Sequence, residues 1–145
     1  MARFAFGMRS TVVGTSARAQ MSLFATASVG GALRECGVCN TTTTAFAAGL
    51  IRFTNVTNAG AAQTEGEYDE NKPPPLCTVF AGHSGDGGTG QVLRQWSIGA
   101  AIGSGVIWTF GDSGIVLQVG TANGVGPHVP TGTGQIGDDY FDWDE

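Results

Sequence analysis

Residues 103–126, GSGVIWTFGDSGIVLQVGTANGVG, constrain the fold more than any other stretch of the chain. Val106, Trp108 and Phe110 are alternate residues, so they share one face, and residues 115–119 repeat the spacing. This period of two is typical of half-buried strands. Two such runs joined by Gly-Asp-Ser-Gly predict a β-hairpin. The stretch therefore predicts an all-β chain.

Composition agrees with that fold class. Glycine is frequent, with 24 residues, and only 13% of residues are charged, so strong helix formers are scarce. A length of 145 residues suits one domain. We predict a single-domain β-sandwich, jelly-roll-like, with eight to ten short strands, an N-terminal arm over about residues 1–20 and a long loop over 55–76, which contains three consecutive prolines.

Further apolar runs place the remaining strands. Alternation from residue 2 to residue 8 suggests a first strand or a strand-like arm, and residues 21–27 could form a strand or a short helical turn. The threonine-rich residues 40–44 are a candidate hairpin loop. Near the C-terminus, Phe141 and Trp143 are expected to face inward. The other predicted strands are 33–40, 45–54, 77–80, 91–102, 124–129 and 140–145, with loops at 10–20 and 81–90.

Charge and cysteine content bound the environment. Residues 1–52 carry five arginines and one glutamate, net +4, whereas residues 53–145 carry two cations and eleven acids, net −9. Such asymmetry can orient a molecule on a charged partner. The basic part lacks clustered arginines with interleaved aromatics, so we expect no nucleic-acid partner. No run is long enough for a membrane span or a signal peptide, and three cysteines suit assembly in a reducing cytosol.

The segment Gly-Asp-Ser-Gly at 111–114 resembles the nucleophile segment of chymotrypsin-like proteases. Such catalysis needs a base beside Ser113, and His83 and His128 are the only histidines. His83 lacks the family's surroundings, and position 115 is isoleucine where the family has glycine. A tight turn explains the same four residues fully. We therefore predict no catalytic residues and no enzyme.

Several patterns suggest ligands, each with a structural alternative. Cys36 and Cys39 could join Cys77 and His83 in a zinc site or form a redox pair, but buried free thiols are commoner. Residues 132–137 match G-x-G-x-x-G without a following helix. Exposed aromatics could stack sugars: Tyr68, Trp96 and Tyr140. The terminal carboxylates could bind calcium or form a solvated tail: Asp138, Asp139, Asp142, Asp144 and Glu145. We expect neither a metal nor a cofactor.

The segments LRECGVCNTTTTAFAAGLIRFT, CTVFAGHS, IGAAIGSGVIWTFGDSGIVLQVGTANGVG, PTGTGQ and YFDWDE resemble a group of small tailed-bacteriophage virion proteins of the head-decoration, or cement, type. The resemblance covers most of residues 33–145. It implies a β-sandwich, often trimeric, seated on the capsid surface after assembly in the host cytoplasm. It implies the major capsid protein and further copies of the chain as partners.

These expectations combine into one predicted function, a non-enzymatic structural protein that binds and stabilises the capsid lattice as a trimer. The alternative is a tail, fibre or head-surface module that recognises a host glycan or receptor. The N-terminal arm and the 55–76 loop are the predicted contact elements. Their candidate partner-binding residues are Arg3, Phe4, Phe6, Arg9, Tyr68 and Pro74.

Overall fold

The computed structural model describes residues 1–10, 18–57, 59–85 and 89–145. Within these ranges the chain forms thirteen strands and no helix. Among the described residues, therefore, no helix could cross a membrane. The strands are β1 Arg3–Arg9, β2 Arg18–Ala19, β3 Met21–Phe24, β4 Gly31–Asn40, β5 Phe46–Phe53, β6 Ala61–Ala62, β7 Gly66–Glu67, β8 Thr78–Ala81, β9 Thr89–Ile98, β10 Gly105–Thr109, β11 Ile115–Leu117, β12 Gly124–Val129 and β13 Gly137–Asp144.

The strands form two antiparallel sheets. The first sheet has the order β10-β4-β13-β1-β7, and β11 also pairs with β4. The second has the order β6-β8-β3-β12-β5-β9, and β2 also pairs with β12. When the principal strands β1, β3, β4, β5, β9, β10, β12 and β13 are numbered one to eight, the sheets read 6-3-8-1 and 2-7-4-5. That is the strand order of a jelly roll. The predicted all-β sandwich is confirmed.

Short strands raise the count above the predicted eight to ten. β2, β6 and β7 have two residues each, and β11 has three. Strands this short carry no readable alternation, because a period of two needs several residues to become visible. They exist because neighbouring chain segments already lie beside longer strands.

The predicted hairpin within residues 103–126 is wrong. β10 and β11 do not pair with each other; both run antiparallel to β4. Phe110 N donates to Arg34 O at 2.9 Å, and Ile115 is paired with Leu33. Arg34 and Leu33 are consecutive on β4, so four residues protrude between two pieces of one interrupted edge strand. Because a tight turn suits both a hairpin and such a protrusion, the local sequence could not distinguish them.

The protruding residues 111–114 do form the predicted tight turn. Gly114 N donates to Gly111 O at 3.3 Å, and both glycines have positive φ, 61° and 60°. Arg34 anchors the turn, because its Nη1 donates to Gly111 O at 3.0 Å and also to Asp112 O. The turn is therefore attached to the first sheet through a single guanidinium group.

The predicted arm and the neighbouring loops differ from expectation in part. Arg3–Arg9 form β1, which pairs with β13 at seven consecutive positions, so this part of residues 1–20 belongs to the sheet. Residues 11–17 of the predicted 10–20 loop, and 86–88 of the predicted 81–90 loop, lie outside the described residues. The prediction of a hairpin loop at 40–44 is wrong, because β4 and β5 belong to different sheets.

The main core lies between the two sheets. Trp108 is 8% exposed, and Phe141 and Trp143 are fully buried, as their alternation predicts. Phe4 packs beside Trp143, with ring centroids 5.9 Å apart. Burial of such large apolar side chains supplies about 25 cal/mol for each Å² removed from water, which makes this core the main source of stability.

A second apolar cluster covers the outer face of the second sheet. Phe24 stacks on Phe53 and meets Phe80 edge-on, while the His83 ring stacks on Phe53. Gly124 is needed beneath this cluster, because a Cβ there would lie 2.5 Å from the Phe24 ring. The second sheet is thus covered on both faces in this region, which its short alternating runs did not indicate.

Candidate functional site

The two predicted contact elements meet at one end of the sandwich. β7, from the 55–76 loop, pairs with β1 and places Glu67 opposite Phe4. Tyr68 N then donates to Arg3 O at 3.1 Å. The start of β1 and the loop that follows β7 together enclose a groove of about 330 Å³, here called the terminal groove. It is lined by Ala2, Phe4, Val29, Pro73, Pro74, Leu76 and Glu145.

Glu145 holds the proline-rich wall of the terminal groove in place. Its carboxylate accepts hydrogen bonds from Leu76 N at 2.8 Å and from Cys77 N at 2.9 Å. Trp143 Nε1 donates to the same carboxylate at 3.0 Å. Ala2 and Glu145 also exchange both backbone hydrogen bonds. Charge-assisted bonds of this kind are stronger than neutral ones, so the wall is held rigidly although Leu76 is 57% exposed.

A network of charges lies beside the terminal groove. Asp144 accepts from Arg3 Nε at 3.1 Å and from Arg34 Nε at 2.6 Å. Burial raises the pKa of Asp144, but the hydrogen bonds from the two arginines outweigh burial and keep this pKa below its ordinary value. Burial raises the pKa of Asp142 despite the nearby Arg3. The negative charge of Asp142 is the main reason that the pKa of Tyr68 is raised.

Pairing between β1 and β13 also removes the predicted charge polarity. Arg3 faces Asp144, and Arg9 binds Asp138 with Nε–Oδ1 and Nη2–Oδ2 distances of 2.8 and 2.9 Å. The basic N-terminal and acidic C-terminal parts of the sequence are therefore adjacent strands that neutralise each other. Asymmetry along the chain does not become two oppositely charged faces.

The six predicted partner-binding residues do not all gather at the terminal groove. Phe4 and Pro74 line it, and Arg3 and Tyr68 lie beside it. Phe6 packs against the core. Arg9 stands at the other end of β1, six residues and about 20 Å from Arg3. Sequence reasoning missed Glu145, whose role depends on a contact with residues almost seventy positions away.

Ser113 has no base among the described residues near it. It is exposed in the 111–114 turn and lines a cavity of about 400 Å³ beside Arg34 and Asp144, and neither histidine lines that cavity. His83 Nε2 instead lies 2.9 Å from Ser22 Oγ, on the second sheet. Ser22 is fully buried and His83 is 2% exposed, so this pair is closed to substrate.

The candidate zinc ligands are not assembled. Cys36 is buried in the core, whereas Cys39, three residues further on the same strand, is partly exposed. Burial raises the pKa of the Cys36 thiol well above its ordinary value, which suits an inert buried thiol. His83 lies on the outer face of the second sheet. Within the described ranges no group of three or more histidine, cysteine or acidic side chains could hold a metal ion.

The acidic C-terminal residues have separate environments. Asp138 and Asp144 bind arginines, while Glu145 binds backbone N–H groups. Asp139 faces inward and is 2% exposed. Residues 132–137, which match a dinucleotide-binding pattern, lead directly into β13 rather than into a helix.

A buried polar pair lies between the sheets at the end opposite the terminal groove. Asp139 and Gln20 are 2% and 4% exposed, and neither side chain makes a hydrogen bond to any described residue. A Cβ built on Gly137 would lie 3.6 Å from Asp139 Oδ1 and 3.6 Å from Gln20 Nε2, so both border the same space. Burial, and secondly the charge of Asp138, raises the pKa of Asp139 to about 8.

The candidate sugar-stacking aromatics also separate. Tyr68 is 63% exposed and Trp96 is 56% exposed, but they lie on different sheets. Tyr140 covers Gly37, and its hydroxyl donates to Glu35 Oε1 at 2.5 Å. Tyr68 and Trp96 are therefore available as contact residues, whereas Tyr140 is part of the packing on the first sheet.

Comparison with protein-family models, with curated proteins and with solved structures finds no match. The resemblance to phage decoration proteins therefore stays a prediction.

Proposed function

We propose that this chain is a non-enzymatic virion structural protein that binds the major capsid protein and stabilises the capsid lattice as a trimer on the particle surface. The observation that carries the proposal is the terminal groove, where the two predicted contact elements meet beside an apolar cleft. The family resemblance supplies the partner. A stabilising protein of this kind needs a pre-formed contact surface and no catalytic group.

The terminal groove suits a protein partner because ordering costs little there. Pro73, Pro74 and Pro75 restrict the backbone, and Glu145 holds the next two residues. A rigid apolar surface loses little conformational entropy on binding. Leu76 is 57% exposed and offers an apolar side chain to a complementary surface.

Particles that lack the chain test this proposal. Adding the purified protein back should raise their resistance to heat or low salt. Leu76→Asp should weaken particle binding, because it places a charge in the apolar groove without removing the Leu76 N–H. Thr43→Asp is the matched control, since Thr43 is exposed beyond the far end of β4. Unchanged particle stability after full rebinding would refute the stabilising role.

One observation favours the alternative, recognition of a host glycan. Tyr68 is 63% exposed, and its hydroxyl donates to Asp142 Oδ2 at 3.5 Å, which combines an aromatic face with a carboxylate. A glycan array with the wild type and Tyr68→Ala tests this function. Binding that disappears in Tyr68→Ala supports it, and an array without signal refutes it.

A further inference from the structure

We propose that a second copy of this chain covers the side of the sandwich formed by β9 and β10, here called the open edge. This inference deepens the proposed function, because a trimer needs an interface between copies. It concerns a surface on a different part of the molecule from the terminal groove, and its test needs no virus particle.

The backbone of the open edge is unpaired in the described chain. β9 is the last strand of the second sheet and β10 is the last strand of the first, and the two lie near each other. β9 is ten residues long, and no other strand of the described ranges pairs with its outer side. Natural proteins protect long exposed edges because free N–H and C=O groups recruit other strands.

The side chains of the open edge are apolar where monomeric proteins usually place charges. Val92 and Trp96 on β9 are 51% and 56% exposed, and Ile107 on β10 is 59% exposed. Large aromatic side chains of this kind are enriched at protein interfaces. An unpaired backbone edge and exposed apolar side chains together fit a protein surface better than a small ligand.

Charge identifies the second copy as the occupant. Between Thr89 and Gly111 the only charged residue is Arg94, although the whole chain has a net charge of −5. Two copies therefore repel each other over much of their surface, and a neutral surface is where this repulsion is smallest. Closed assemblies of identical chains are the usual outcome when such a surface associates.

Light scattering of the purified chain over a wide concentration range tests the inference. The wild type should be an oligomer, and Val92→Lys or Ile107→Lys should weaken association by about tenfold or more, because each places repelling charges in the interface. Leu76→Lys is the matched control, since Leu76 is equally exposed but lines the terminal groove. It should associate like the wild type.

Tryptophan fluorescence gives a second, independent readout. All three tryptophans lie in the described part of the chain, and Trp108 and Trp143 are buried, so iodide quenching reports mainly on Trp96. Quenching should fall as wild-type protein associates and should stay high in Val92→Lys.

A wild type that is monomeric at every concentration would overturn the inference. An oligomer in which Trp96 stays accessible and both lysine variants associate normally would also overturn it. Either result leaves the capsid-binding role intact if Leu76→Asp still reduces particle binding. Normal self-association with no effect on particles would instead refute the proposed function alone.

Discussion

Asp139→Asn should stabilise the fold at neutral and alkaline pH. Asp139 is buried between the sheets without a hydrogen bond to any described residue, and burial raises its pKa to about 8 from an ordinary 3.8. The folded state therefore keeps a proton that the unfolded chain releases near pH 4. Asparagine has nearly the same shape and carries no ionisable proton, so it removes this linkage.

The expected magnitude follows from the difference in pKa. When the folded pKa of an acid exceeds the unfolded pKa, its contribution to stability is fully present at low pH and is lost as pH rises through the folded value. At about 1.4 kcal/mol per pKa unit, the loss attributable to Asp139 is on the order of 4 kcal/mol at pH 7 and slightly more above pH 8. Nearly all of this loss falls between about pH 4 and about pH 8.

Urea unfolding of the wild type and of Asp139→Asn at several pH values measures this effect. The difference in unfolding free energy between the two proteins should grow as pH rises through this window, and it isolates Asp139 because other groups are common to both. Asp138→Asn is the control. Asp138 is half-exposed, and its hydrogen bond to Arg9 lowers its pKa, so its loss should change stability only slightly.

Equal pH dependence in the wild type and Asp139→Asn would refute this explanation. It would mean that the Asp139 carboxylate is solvated or paired in the folded protein. A stability difference that grows toward low pH would contradict the sign of the linkage.

The remaining predictions concern the core, the turn and the loop clamp. Trp108→Ala should lower the free energy of unfolding by about 3–5 kcal/mol, because it removes a large buried ring, and urea titration measures this loss. Ser113→Ala should leave stability within about 0.5 kcal/mol of the wild type in the same assay, since Ser113 is exposed. Glu145→Gln should loosen the loop before Cys77, because it weakens the charge-assisted bonds to Leu76 N and Cys77 N. Faster amide exchange at residues 69–77, without global unfolding, is the expected result; unchanged exchange would show that the prolines alone order this segment.

Strand positions could be predicted because their cause is local. Residues 33–40 and 45–54 correspond to Gly31–Asn40 and Phe46–Phe53, and the inward direction of Phe141 and Trp143 follows from alternation alone. The same alternation, extended two residues back, places Asp139 inside the sandwich. That signal was present in the sequence, but the acidic character of the segment favoured a solvated tail instead.

Pairing partners could not be predicted in the same way. Residues 105–117 form two apolar runs around a turn, and their sequence suits either a hairpin or one interrupted edge strand. The structure contains the second arrangement because β4 has ten residues and offers pairing sites to both runs. Strand pairing is a long-range interaction, so the choice depends on which edge the rest of the fold leaves free.

The terminal groove shows the same division between local and long-range causes. Three consecutive prolines and the exposed Tyr68 mark the 55–76 loop as a contact candidate from composition alone. The sequence by itself thus determined an all-β chain, its main strands and the stiff loop, because propensity, alternation and turn chemistry act over a few residues. The clamp by Glu145, the neutralisation of β1 by β13 and the burial of Asp139 arose only in the folded chain. Each depends on residues far apart in sequence that packing brings within hydrogen-bonding or ion-pair distance, or removes from water.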